Sequence, residues 1–417
     1  MARIGFGIML SLLLLAGCAG TPLAITAAAT AAGGTSKMID TSGTFAKGFS
    51  RDETLRLLEL CLNLNNPTDG GAYAADTSAW APVYPNKVDT LADVLGPGDN
   101  AWKLWRSTTE TNTYAIVIRG TVSEQVSIIE DVLATSVAQP ARVQAWRDGY
   151  LQFTLAQTPG AETHLGFTDG LAALMFAQDK GILAQVTQLV PAGSHIYIAG
   201  HSQGAAIAAL VHAFLHYAIN DSADRYGLAK RNYSLKSYFF AQPKPGNWQF
   251  GMDFARIASS QGTSFTVNNS LDWVPQVPLA IEFLDEPGSD LLTQLNRTAA
   301  QRNRIVEFEA LKLAIRNAEQ AVNLAKAARA KFADETGSFT SRALQRATAL
   351  LDRRWMTPGT AAMLTPASIN YVGVGNLVPV FGENPCVPLP GDSTDDPLCQ
   401  HHLPLYRALI KAQINGP

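Results

Sequence analysis

The chain has 417 residues, 47% hydrophobic and 16% charged, which is enough to bury a large core and unlike the composition of a disordered polypeptide. A formal net charge of −3 gives no general reason to expect nucleic acid as partner. Four cysteines, none in a Cys-x-x-Cys pair, exclude a disulfide scaffold and a thiolate zinc or redox motif.

Arg3 followed by the apolar run Ile4 to Ala16 reads as a secretory signal, too short to span a bilayer comfortably. It ends in Leu15-Ala16-Gly17-Cys18, which resembles the lipobox of bacterial lipoproteins. That resemblance implies removal of residues 1–17, lipidation of Cys18 and, with Ala19 next, delivery to the outer membrane of a bacterial cell envelope. Several acyl chains on one residue make a stable anchor where one would not. Residues 18–45, rich in Ala, Thr and Gly over 21–35, read as a tether. Export puts the rest of the chain in an oxidising compartment, so Cys386 and Cys399 are candidate disulfide partners. Cys61, on the apolar face Leu55, Leu58, Cys61, Leu62, reads as a buried thiol.

The spacing predicts an amphipathic helix from Phe49 to Leu64, then a loop over Asn65 to Val83 with Asn-Pro, Asp-Gly-Gly and Trp-Ala-Pro signals. Trp102 to Arg106 and Tyr114 to Arg119 read as strands, the second almost continuously apolar, as a strand buried on both faces should be. It runs into Gly120-Thr121, where a backbone N–H and a hydroxyl could meet a developing negative charge. Val122 to Gln139 is mildly amphipathic and reads either as a flap over a site or as core helix. His164-Leu165-Gly166-Phe167 opens a helical run to Ala177.

Ile196 to Ala206 carries the strongest local signal. A strand runs into Gly200-His201-Ser202-Gln203-Gly204, and an Ala-rich helical pattern continues to about Tyr217. Strand, sharp turn and helix are the setting in which Gly-x-Ser-x-Gly presents a nucleophilic serine. Two more strands follow, Ser237 to Ala241 and Ser264 to Asn268, and Asp272 stands just past the second. Alternating strands and helices predict a mostly parallel α/β sheet with reactive residues at the carboxyl ends of its strands.

A serine nucleophile needs a base, and the base needs an orienting carboxylate. In the order Ser, acid, His, Asp272 is the acid that follows a strand, and of the seven histidines only His401 and His402 come after it. His212 and His216, at i,i+4 on the serine helix, lack a third ligand motif, so no metal is expected.

Arg119-Gly120-Thr121, His164-x-Gly166-Phe167, the Gly200 to Gly204 motif, the Pro243 to Asn247 turn and Asp272-x-Val274-Pro275 together resemble the class 3 lipase family, over residues 100 to 280. The resemblance implies an α/β-hydrolase that cleaves carboxylic esters of lipids without a cofactor. Ser202 would be nucleophile and Asp272 orienting acid, with the oxyanion held at Thr121 and the backbone of Gln203. His401-His402-Leu403-Pro404-Leu405-Tyr406 fits the family's His and Tyr pattern best with His401 as base; His402 stays a candidate. Gln203 and Ala205 depart from the commonest motif residues without removing a backbone N–H.

The span 297–354 interrupts this pattern with a polar helical hairpin of twelve Lys and Arg against six Asp and Glu, a net +6 that leaves −9 on the rest of the chain. Such an arm could meet anionic headgroups or a protein partner. The expected organisation is therefore signal 1–17, tether 18–45, hydrolase core 46–296, inserted hairpin 297–354 and a closing segment 355–417 with the catalytic histidine. A catalytically idle envelope scaffold and an acyltransferase using the same triad are the alternatives.

Overall fold

A computed structural model describes residues 45–65, 73–84, 100–119, 136–278, 349–360, 370–383, 386, 396 and 398–414. The signal, Cys18, the tether up to residue 44, Thr121, most of 122–139 and 297–348 lie outside them.

Helix α1 (Arg51–Asn65) opens the described chain. Strands β1 (Trp80–Tyr84), β2 (Ala101–Ser107) and β3 (Thr113–Arg119) follow, then β4 (Ser136–Ala138), β5 (Ala141–Trp146), β6 (Gly149–Phe153) and β7 (Glu162–His164). Helices α2 (Leu165–Phe176) and α3 (Ile182–Leu189) lead to β8 (His195–His201) and α4 (Gln203–Ile219). After β9 (Ser234–Phe240), β10 (Gly246–Asn247), α5 (Trp248–Ile257) and β11 (Ser264–Asn269) come β12 (Met356–Pro358), β13 (Tyr371–Val372), β14 (Asn376–Val380) and α6 (Leu403–Gln413).

The central sheet runs β1-β2-β3-β8-β9-β11-β14. Its first two pairings are antiparallel and β3 through β14 are parallel. β3 is buried along its whole length, as its unbroken apolar run requires. Alternation divides β8 between two cores. Ile196 and Ile198 pack under the side formed by α2, α3 and α4, while Tyr197 and Ala199 face α1 and α6. Cys61 is buried in the second of these cores as a free thiol.

Register sets the rim. Gly200 pairs with Phe239 and His201 with Phe240, Val267 with Phe240, and Asn269 with Val380. Whatever follows His201, Asn269 and Val380 therefore emerges on one edge of the sheet.

Several elements differ from the sequence reading. Trp80-Ala81-Pro82, read as loop, is an edge strand: among the described residues β1 pairs only with β2, and an edge tolerates the loss of the N–H that proline lacks. Val137, in the segment read as either flap or core helix, lies buried in β4. The hairpin β5–β6 was not legible as such. The end of the inserted arm is not helical either: Leu351 bridges to Ala177, Arg353–Trp355 is a 3-10 turn, and β12 pairs with β6. Leu351 is buried in the main core, so the insertion's last residues already belong to the body built on the central sheet.

On the α1 side, an ion pair is buried. Lys236 Nζ lies 2.5 Å from Glu53 Oε2, with side chains 1% and 2% exposed. Tyr197 OH donates to Glu53 Oε1 at 2.6 Å and Tyr238 OH to Oε2 at 2.5 Å. Lys236 also donates to the carbonyl of Ala46 at 2.6 Å, and the Phe45 N–H donates to Glu53 Oε1 at 2.9 Å. Burial pushes both tyrosine hydroxyls well above their ordinary range, so they stay donors, and the segment before α1 is tied to the sheet.

Buried neutral histidines give the fold a pH dependence. Burial, and after it the neighbouring His401, hold His201 well below the usual imidazole value; burial lowers His212 to about 3. In the unfolded chain both protonate near 6.5. Stability from their neutrality is complete above pH 6.5 and is lost as pH falls, at up to about 1.4 kcal/mol per pH unit and group. The urea midpoint is expected to drop between pH 7 and 4.5, less steeply in His212→Gln; a flat midpoint over that range would refute this.

Candidate active site

Ser202 sits between β8 and α4 with φ 58 and ψ −136, a backbone region that costs a non-glycine residue strain. Two contacts hold it there. Its N–H donates to the carbonyl of Phe240 at 3.0 Å, and its own carbonyl accepts from Ala205 N–H at 2.8 Å. Gly200 makes room for the turn: a Cβ there would lie 2.3 Å from the carbonyl oxygen of Gly204. Ser202 is half-buried. Gln203, the first residue of α4, is buried, and its N–H belongs to the positive end of the helix dipole.

Asp272 comes from the loop after β11 and is 2% exposed. Asn269 shapes that loop, its carbonyl accepting from Asp272 N–H at 3.1 Å and its side chain from Leu271 N–H at 3.2 Å. The carboxylate accepts three hydrogen bonds: Val274 N–H to Oδ1 at 3.0 Å, His401 Nδ1–H to Oδ2 at 2.8 Å, and Tyr406 OH to Oδ2 at 2.8 Å. An ionised carboxylate is an acceptor only, so this set suits its charged form. Proton donation through Nδ1 leaves the His401 Nε2 as the basic nitrogen.

His401 ends the 3-10 turn Cys399–His401. That turn is bonded to the β11 loop: Asn269 Nδ2 donates to the Gln400 carbonyl at 2.9 Å and to Gln400 Oε1 at 2.7 Å. Cys386 and Cys399, the candidate partners in the sequence, form a disulfide that closes a loop of sequence separation 13. The His201 Nε2–H donates to the carbonyl of His401 at 2.8 Å, and the two rings lie 4.5 Å apart. Through His201, the residue beside Ser202 in the chain, the nucleophile turn and the histidine turn are in direct contact.

The two C-terminal histidines are now distinguished. His401 is the one joined to Asp272. His402 bonds through Nε2 to Asp396 Oδ2 and through Nδ1 to Tyr73 OH at 3.1 Å. Burial raises the Asp396 carboxyl, but its hydrogen bonds to His402 and Leu398 N–H outweigh this and hold it below the usual range. Thr121 lies outside the described residues. In the His212 and His216 pair, His212 is buried and its Nδ1 bonds to Ser237 Oγ at 2.9 Å. Among the described residues no group of three or more His, Cys, Asp or Glu is placed to hold a metal.

Three contributors escaped the sequence reading: Asn269, His201 and Tyr406. Tyr406 was visible three residues after His-Leu, but its partner was not. Its OH donates to Asp272 and accepts from Asn269 N–H at 3.0 Å; burial raises its pKa well above the ordinary value, so the proton stays. Tyr406→Phe is expected to leave a buried N–H unpaired, costing about 1–3 kcal/mol of stability and, with Asp272 less firmly held, about tenfold in kcat on any ester the site turns over. Wild-type kcat in a folded Tyr406→Phe protein would remove its part in the site.

Residues 115–282 match the model of the family described as Lipase (class 3). No curated protein matches the chain. Among solved structures, similarity is found to the Rhizomucor miehei lipase propeptide complex, at 20% identity over 56% of this chain and 66% of that one, TM-score 0.36. A lipase from Rhizopus microsporus var. chinensis matches at 18% identity over 56% and 71%, TM-score 0.37. Lipase II from Rhizopus niveus matches at 18% over 56% and 77%, TM-score 0.36. The chain thus spans just under two thirds of the first of these.

Proposed function

We propose, on the premise that residues 115–282 belong to the class 3 lipase family, that this α/β-hydrolase is a serine esterase acting on carboxylic esters of lipids. The observation that carries the reading is the His401 to Asp272 hydrogen bond at 2.8 Å beside a serine in a strained strand-to-helix turn. His401 lies outside the matched segment, so its meeting with Asp272 is not a feature of the match.

In the proposed mechanism His401 Nε2 takes the proton of Ser202 as Oγ bonds to the ester carbonyl carbon, and the carbonyl π pair moves onto oxygen. The N–H groups of Gln203 and Thr121 receive that oxyanion. Asp272 stays ionised and stabilises the imidazolium. Collapse of the intermediate breaks the bond to the leaving oxygen, which takes the proton from His401 and departs as alcohol. Water then loses a proton to His401, attacks the acyl carbon, and the acid leaves with Ser202 restored. These groups supply every proton the reaction moves.

A lipid ester fits the rim better than a small polar one. Leu271 and Trp273, either side of Asp272, are 43% and 36% exposed, and Phe381, one residue past β14, is 61% exposed. Such side chains at one edge favour contact with an apolar substrate phase. The N-terminal run ending in Cys18 extends the proposal to a lipid-anchored protein of the cell envelope, with the net +6 span 297–354 as a surface for anionic headgroups or a protein partner. No helix among the described residues is long and apolar enough to cross a membrane.

A fluorophosphonate probe tests both halves. It is expected to label the protein once, on the peptide containing Ser202, and to be blocked by a long-chain ester. Labelling elsewhere or not at all would sink the esterase reading. Fractionation of labelled cells should find the band with membranes, and Cys18→Ser should release it.

A further inference from the structure

We propose that His201 is a positioning residue, which fixes the distance between nucleophile and base by gripping the backbone of His401; this rests on the esterase reading above. The two turns come from the middle and the C-terminal part of the chain, 200 residues apart at this contact. The ties already described for the His401 turn run to the β11 loop and to Cys386. The His201 bond runs instead to the β8–α4 turn that carries Ser202.

Its chemistry is one-sided. A carbonyl oxygen only accepts, so the bond at 2.8 Å requires a proton on His201 Nε2. The ring is 8% exposed and packs between the rings of His401, at 4.5 Å, and Tyr406, at 6.2 Å. Its Cα is bonded through one peptide to that of Ser202, about 3.8 Å away. One planar ring and one hydrogen bond therefore join the nucleophile's backbone to the base's backbone.

This arrangement also explains why an imidazole stands there. A shorter donor would not span from β8 to the 399–401 turn, and a lysine would place a full charge beside the imidazolium that forms on His401. A neutral ring supplies reach, a fixed donor and a flat face without that repulsion.

Three proteins separate this role from mere packing: His201→Phe, which keeps a ring and loses the donor, His201→Gln, which keeps an N–H donor and loses the ring, and Ser202→Ala. Turnover of a short-chain aryl ester is measured per fluorophosphonate-reactive site in wild type and the His201 variants, so misfolded molecules do not count, and per mole of folded protein in Ser202→Ala. A displacement of the base of an ångström or less is expected to lower kcat in His201→Phe by about 10- to 100-fold, with KM changed by less than about twofold because substrate binding is untouched. His201→Gln should recover much of the loss. If His201→Phe does not fold, His201→Met, also without a donor, takes its place.

Wild-type kcat in the variant without a donor overturns the proposal, as does an equal loss in His201→Gln or a loss confined to KM. Ser202→Ala distinguishes the two levels. Turnover surviving in Ser202→Ala would bring down the esterase reading, whereas a dead Ser202→Ala beside a fully active His201→Phe removes only the positioning role.

Discussion

His401→Ala is expected to lower kcat/KM for an aryl ester by about 10⁴-fold, while His402→Ala should stay within about tenfold of wild type. The two residues are neighbours in the chain, but their rings do different work. His401 Nδ1–H is spent on Asp272, so its Nε2 can accept the serine proton and pass it on. Without it the serine must ionise unaided, and the orienting carboxylate has nothing to orient. His402 has both ring nitrogens engaged, with Asp396 and Tyr73, at a site that anchors the loop behind the base. Its loss should show first as a lower melting temperature. Steady-state kinetics of the two variants at pH 8, above the ordinary imidazole pKa, give the answer; a larger loss in His402→Ala would reverse the assignment of the base.

Lys236→Met should destabilise the fold by about 3–5 kcal/mol, because removing one partner of a buried ion pair leaves the other charge without compensation. Glu53 would keep its two tyrosine donors and the Phe45 N–H but lose the cation 2.5 Å away. The double variant Lys236→Met with Glu53→Gln should be less destabilised than the sum of the single changes, since the uncompensated charge is gone. Urea denaturation at pH 7 measures both. A loss below about 1 kcal/mol for Lys236→Met would mean that water or neighbouring dipoles replace the lysine, and that the pair does not hold the N-terminal segment to the sheet.

Local chemistry explains which parts were readable in advance. The Ser202 turn is encoded within five residues, because a Cβ at Gly200 would collide with backbone rather than with a movable side chain. β3 was readable because burial on both faces leaves an unbroken apolar run. β1 was not, since a proline and two turn-like neighbours mask a strand whose only partner among the described residues is one edge of the sheet. β14 and α6 were also missed. Only the last four residues of β14 alternate between exposed and buried, a pattern too short to stand out next to Pro and Gly.

Chain order and residue type alone determined the α/β class and singled out Ser202, Asp272 and one of the last two histidines as candidate site residues, because each depends on a turn or strand end only a few residues long. Tertiary structure decided that the base is joined to Asp272 through His401 and not His402, and that Tyr406, Asn269 and His201 hold it there. Those choices depend on which side chains of distant segments meet, at contacts 129 to 200 residues apart, and no local pattern records a hydrogen bond made across the fold.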